Sequence, residues 1–144
     1  MKRIYIVAAI TCALSGIGCV HAVPSSPPNN IAISSDIAIS RAFKDRKSNV
    51  QVEGEGVVIR LLADDLNGSR HQRFILRLAS GQTLLIAHNI DVAPRVAGLR
   101  KGDTVQFYGE YEWSEKGGTV HWTHRDPKGH HANGWLKHDG RTYQ

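Results

Sequence analysis

Four histidines and an aspartate fall within residues 121–131, directly after a Gly117-Gly118 turn: His121, His124, Asp126, His130 and His131. Imidazole and carboxylate together form the borderline-soft donor set that suits zinc and other divalent transition metals. An ion so held polarises a phosphoryl oxygen or activates water. Without a metal, an imidazole in contact with a carboxylate still supplies general acid and base near neutral pH. Further groups of the same kind stand upstream at Asp64, Asp65, His71, His88 and Asp91. The spacing His121-x-x-His124 is not diagnostic, because on a strand its two rings point to opposite faces and share an ion only if the chain bends between them. The sequence carries no Ser- or Cys-centred nucleophile elbow, phosphate loop or dinucleotide fingerprint.

The elements that must position these groups are mostly strands. From Asn49 onward the apolar period is two. Val50, Val52, Val57, Ile59 and Leu61 make a long first strand, in which Gly54 and Gly56 predict a bulge or sharp coil. Asp64-Asp65 and Asn67-Gly68-Ser69 turn the chain into a second strand, with Phe74, Leu76 and Leu78 against Arg73, Ile75 and Arg77. Ser80-Gly81 is a hairpin signal, and the third strand runs from Thr83 to about Ile90 with Leu84, Ile86 and His88 on one face. Residues 91–98 read as a single helical turn. A fourth strand carries Val105, Phe107, Tyr111 and Trp113 inward, and a fifth carries Val120, Trp122 and His124 inward, with a short strand around Trp135 and Leu136 to follow. Ahead of the strands, Ser35 offers an N-cap and Ile39, Ala42 and Phe43 recur at helical spacing, which predicts an amphipathic helix over 35–46.

A glycine-kinked first strand, a 1-2-3 meander, a connection and a 4-5 hairpin predict an all-β fold, a small five-stranded OB-like Greek-key barrel with one N-terminal amphipathic helix. An SH3-like barrel or an open five-stranded sheet is the alternative. In the OB arrangement the third and fifth strands are parallel neighbours, so Asp64, Asp65, His71, His88 to Asp91, Asp103 and His121 to Asp126 gather at one pole. The expected metal ligands are His71, His88 and His124, with Asp91 and Asp126 orienting them or completing the shell. His71, Arg73, Asn89, Lys101 and His121 are the expected ligand contacts, and His88, His124 and Asp65 the candidates for acid–base chemistry. The competing reading makes each imidazole a rim residue that donates to a backbone carbonyl, with His130, His131 and His138 solvated in loops. Trp113, Trp122 and Trp135 read as core, and Glu110 and Glu112 as a solvated face balancing Arg70, Arg73, Arg77, Arg100 and Lys101.

The chain ends bound the rest. Lys2 and Arg3 precede an apolar run from Ile4 to Leu14 and a Val20-His21-Ala22 cleavage pattern, so residues 1–22 read as an export signal. The run is too short to cross a bilayer, which takes about 20 residues. Lipidation at Cys19 is the alternative, but Gly16 stands where a lipobox wants an aliphatic residue. Cleavage near Ala22 removes both cysteines, Cys12 and Cys19, so stability must come from a packed core although the destination is the periplasm or the exterior. Losing Lys2 and Arg3 lowers the formal charge from +5 to +3, a mild basic balance compatible with an anionic partner. Residues 23–34, with three of the five prolines, read as a flexible linker. Residues 35–144 then form a single domain.

The motifs His71-Gln72-x-Phe74, His88-Asn89-Ile90-Asp91 and His121-Trp122-Thr123-His124-x-Asp126-Pro127, with Gly109-Glu110-Tyr111-Glu112-Trp113 and Gly134-Trp135, carry a likeness to a known family. The chain resembles small exported bacterial proteins that share a domain of unknown function, over about Val50 to Gln144. The resemblance implies an exported unit and carries no activity with it. The sequence therefore leads to an exported binding module whose polar pole engages an anionic or polyhydroxylated, glycan-type ligand, through zinc or another divalent metal. A metal-dependent phosphodiester hydrolase and an envelope interaction protein without a site are the alternatives. Nucleic acid is a further partner, through the basic side of the second strand.

Overall fold

The computed structural model describes residues 30–144, with side chains from Ser35 onward; the expected export signal and most of the expected linker lie outside the described residues. Helix α1 spans Asn30–Lys44, followed by strands β1 (Val50–Leu61), β2 (His71–Arg77), β3 (Thr83–Asn89), β4 (Thr104–Glu112), β5 (Thr119–His121), β6 (Trp135–His138) and β7 (Arg141–Tyr143). The sheet order is β1-β2-β3-β5-β4-β6-β7, and the additional β1–β4 pairing closes the first five strands into a barrel. β3 and β5 are parallel and the other pairs are antiparallel. This is the OB-like arrangement. Among the described residues no helix is long and apolar enough to cross a membrane.

Alternation dictates what fills the barrel. Val52, Val58, Phe74, Leu76, Leu84, Ile86, Val105, Phe107, Tyr111 and Val120 all point inward and are buried. Each such aliphatic or aromatic side chain contributes about 1.5–3 kcal/mol by leaving water. Gly54 is needed for this packing: a Cβ there would stand 2.7 Å from Cζ of Phe107, so the glycine makes room for the ring. The register shift expected at the glycines lies between Val58 and Arg60 instead.

Both barrel ends are plugged. At the end carrying the β2–β3 turn, α1 inserts Ile39 and Ala42 into the core. Polar bonds fix its position: Asp36 Oδ2 accepts from Ser80 N (2.8 Å), Ser40 Oγ donates to Gln82 Oε1 (3.2 Å) and Trp113 Nε1 donates to Phe43 O (3.1 Å). The helix is already formed at Asn30, so residues 30–34 are helical rather than linker and Ser35 is not the cap. No proline follows Pro28 in this stretch, and Asp36 spends its carboxylate on the barrel instead of on the helix end. At the other end, Val96 and Leu99 of the β3–β4 connection close the core. Gln72 clamps this segment by accepting from Val96 N (2.9 Å) and donating to Val96 O (3.1 Å). The expected helical turn over 91–98 is an irregular connection, with Ala93 N donating to Asn89 O (3.3 Å) as its helix-like bond.

The fifth strand departs most from its pattern. β5 stops at His121 because Trp122 takes a left-handed backbone, with φ 51°. That residue breaks the alternation, so Thr123 enters the barrel and the Trp122 indole turns outward, half-buried. Beyond it, Gly134 leads into β6 so close to Trp122 and to β4 that a Cβ would collide with Trp122 O and stand 2.7 Å from Tyr108 O. β7, absent from the sequence reading, completes a C-terminal hairpin on β6.

Candidate metal centre

Outward parity on β4 sets Gln106, Tyr108, Glu110 and Glu112 on the barrel wall, and the register with β5 puts His121 directly across from Glu110. Opposed residues on one face of a sheet hold their Cβ atoms about 4.5–5.5 Å apart, within reach of a shared ligand. His121 Nε2 lies 3.8 Å from Glu110 Oε1 and 3.8 Å from Glu112 Oε1. One donor atom from each of the three residues falls within 4.8 Å of the others. These separations are too long for hydrogen bonds. They suit an ion between the atoms, since zinc bonds of about 2.0–2.2 Å to nitrogen and oxygen span such gaps with a small inward movement.

His121 Nε2 is itself enclosed and has no hydrogen-bond partner. Burial lowers the His121 pKa below the ordinary imidazole value, against the opposing pull of Glu110 and Glu112, which keeps the ring in its neutral, metal-binding form. Around the trio, Asn49 donates to Glu110 Oε1 (3.3 Å) and Glu112 Oε1 (3.0 Å) when its amide nitrogen faces them. His131 Nδ1 lies 3.6 Å from Glu110 Oε2. The His131 ring stacks on Trp122, centroids 3.7 Å apart, so the outward turn of Trp122 is what holds this imidazole beside the carboxylates. His131 is thus no solvated loop residue. Asp126 anchors the loop that carries it, accepting from His130 N and, at 2.8 Å each, from Lys128 N and His131 N; these bonds, Lys128 first, hold its carboxyl below the usual range.

The residues expected as ligands are placed otherwise. His71, His88 and His124 are near enough that the first and last help to lower the pKa of His88. They do not converge with Asp91 and Asp126 on one point among the described residues. His88 Nε2 donates to Pro94 O (3.0 Å), and its Nδ1 accepts from Thr123 Oγ1 (2.9 Å), leaving no ring nitrogen for an ion. The expected facing of His88 and His124 is taken over by Thr123, for the backbone reason given above. His124 Nδ1 donates to Arg125 O (2.7 Å) and His71 Nδ1 to Ser69 O (2.7 Å). Asp91 is held by the Arg70 backbone and side chain, at 2.7 and 2.6 Å, and its pKa is lowered accordingly.

Most of the remaining polar pole is similarly committed. Asp65 accepts from Asn67 N (3.0 Å) and sits 3.7 Å from Arg73 Nη1. Arg73 Nε donates to Ala63 O (3.1 Å), while Asn89 Oδ1 accepts from Asp91 N (2.9 Å). Lys101 is exposed in the turn before β4. His138, expected in solvent, sits on β6 with Nε2 donating to Asp103 Oδ2 (2.8 Å). Glu110 and Glu112 are the ligand candidates that sequence reasoning passed over as surface charge. Their alternation on β4 was legible; that His121 stands across from them required the register.

The closed five-strand barrel with an outer His/Glu cluster defines an OB-like β-barrel protein. The chain belongs to the family described as "Protein of unknown function (DUF3465)", whose match spans residues 22–144. That unit reaches further toward the N-terminus than the resemblance from Val50 implied, and it includes α1. No curated protein matches the chain.

Proposed function

We propose that this protein is an exported OB-like binding module that holds a divalent transition metal, zinc by its donor set, between Glu110, Glu112 and His121. The observation that carries this reading is the enclosed, unpartnered His121 Nε2 aimed between two carboxylates. Three protein donors leave a tetrahedral ion one open position, the arrangement through which a metal engages an anionic ligand. His131 is the neighbouring group able to donate to such a ligand or to approach as a further donor. Zinc titrated calorimetrically into the apo protein is expected to bind one ion per chain. His121→Ala and Glu110→Gln are each expected to lower affinity at least about tenfold, since removing one of three ligands removes the site. Equal affinity in all three proteins would sink the reading.

A phosphodiester hydrolase built on the same ion is the competing class. It draws less support, because the expected bases are engaged elsewhere: Asp65 belongs to the β1–β2 connection and is tied to Asn67 and Arg73, both ring nitrogens of His88 are bonded inside the barrel, and His124 Nδ1 donates to Arg125 O. Turnover of a simple phosphodiester by the zinc-loaded protein, lost in His121→Ala, would decide for it. Export belongs to the reading as well: intact mass of the secreted chain is expected to show a start near Val23, whereas an acylated species starting at Cys19 would make it a lipoprotein.

A further inference from the structure

A second surface of the barrel carries polar groups that the fold itself does not use. The pairings of β1 with β4 and of β4 with β6 set side chains in rows across three strands: Glu53, Tyr108 and Trp135 in one, Glu55, Gln106 and Lys137 in the next. Successive rows stand about 7 Å apart along the strands. All of these residues but Tyr108 line a groove of about 620 Å³, whose far side is Arg77, Leu78 and Ala79 together with Ser35 and Asp36 of α1. That volume lies inside the range of about 300–1,000 Å³ usual for small-ligand sites.

The lining selects the ligand. Gln106 Nε2 donates to Glu55 Oε2 (2.8 Å), which fixes the middle of the floor. Among the described residues no ion pair involves Glu53, Arg77 or Lys137, so Glu53 and Arg77 face the groove uncommitted and Lys137 is engaged only with the Trp135 ring. Trp135 supplies an aromatic surface, packed against Tyr108 with ring centroids 6.2 Å apart. The Lys137 ammonium covers that indole, 4.4 Å from its centroid, so a sugar ring seated on the face takes the place of the ammonium, which swings aside on its flexible stem to donate to the sugar hydroxyls. Mixed donors and acceptors beside an aromatic face match a molecule with hydroxyls on its edge and C–H groups on its face. A polyanion fits poorly, because Glu53 and Glu55 would repel its phosphates, and single-stranded nucleic acid seeks a uniformly basic groove.

We infer that the groove over β1, β4 and β6 is a binding site for a neutral polyhydroxylated chain, an oligosaccharide seated on Trp135 and hydrogen-bonded by Glu53, Arg77 and Lys137. The site is separate from the metal centre and does not depend on it. The test is calorimetric titration of the full mature protein with neutral oligosaccharides of glucose, mannose, galactose and N-acetylglucosamine, four to six units long, beside an oligothymidylate of similar length. At least one saccharide is expected to bind with an affinity that salt leaves unchanged. Trp135→Ala should weaken it about tenfold or more, the loss of one well-placed contact of about 1.4 kcal/mol. Glu53→Gln and Arg77→Ala, both exposed and away from the core, should each weaken it several-fold, which keeps the test valid if Trp135→Ala perturbs β6. His121→Ala should leave saccharide binding intact while abolishing zinc binding. Failure of every saccharide to bind would overturn the inference, as would equal affinity in the Glu53 and Arg77 variants, or binding to the oligothymidylate alone.

Discussion

Both ring nitrogens of His88 are engaged inside the barrel, one with Pro94 O and the other with the Thr123 hydroxyl. A carbonyl only accepts, so Nε2 carries the proton and Nδ1 receives that of the hydroxyl; the neutral ring is the form this pocket holds. Burial, the largest cause, lowers the His88 pKa from 6.5 to about 4. The native state therefore refuses a proton that the unfolded chain accepts. Stability is full above the unfolded value and is lost as pH falls from about 6.5 to about 4, to a total of about 3 kcal/mol. Urea denaturation at a series of pH values should show that slope in the wild type, and a flatter one in His88→Gln. Asp91, Asp103 and Asp126, whose carboxyls are all held below 3.8, add their own loss only at more acid pH. If the two variants titrate in parallel across the histidine range, His88 is not the group responsible. His88→Ala should cost about 2–4 kcal/mol at neutral pH, because Pro94 O and the Thr123 hydroxyl lose their partner and a cavity opens.

At the scale of elements, the end of β5 decides which side chains stand around the candidate metal centre. Left-handed Trp122 sends one imidazole partner, Thr123, into the core and leaves the indole outside as a shelf for His131. Gly134 then lets β6 pass beneath the turned carbonyl of Trp122. Gly134→Ala is expected to destabilise the fold by more than about 2 kcal/mol, since the added methyl meets backbone oxygens of Trp122 and Tyr108 that cannot retreat cheaply. A fall in the urea midpoint, with loss of amide-exchange protection over β6 and β7, is the readout. Wild-type stability in this variant would show that β6 docks less tightly than described. The 126–133 loop can be tested separately. Asp126→Ala removes the acceptor for three backbone N–H groups, so His131 should drift from Glu110 and zinc affinity should fall a few-fold, with little change in global stability.

For the whole molecule, the barrel is stable only with both ends covered, because a five-stranded barrel of this size has few residues in its interior. Ile39 is fully buried and α1 is fixed to the hairpin end by Asp36 and Ser40. Ile39→Ala is expected to cost about 2–5 kcal/mol, the usual effect of emptying a core position, read from chemical denaturation. A much smaller loss would mean that the barrel closes without its plug. Covering the ends also explains why both proposed sites lie on the outer wall: the interior is packed and the poles are occupied by helix and connection, leaving the outward rows of β1, β4, β5 and β6.

Much of this architecture was legible in the residues alone. Period-two alternation on β2, β3 and β4 marked which side chains fill the barrel, since a strand buried on one face must write that face into every second position; on β1 the apolar run Val57, Ile59 and Leu61 pointed to the wrong parity, for Val58 is the buried residue while Val57 and Leu61 are exposed. Meander, connection and hairpin in that order implied the OB-like barrel, and with it the parallel pairing of β3 and β5. The reading failed where alternation itself fails. A single left-handed residue at Trp122 reverses the parity downstream, and left-handed tryptophan has no sequence signal because its cost is met by tertiary contacts. The candidate metal centre was hidden for a related reason. Glu110, Glu112 and His121 are ordinary surface residues until the β4–β5 register sets them across from one another, and register is decided by how the two strands pack, not by either strand's own composition.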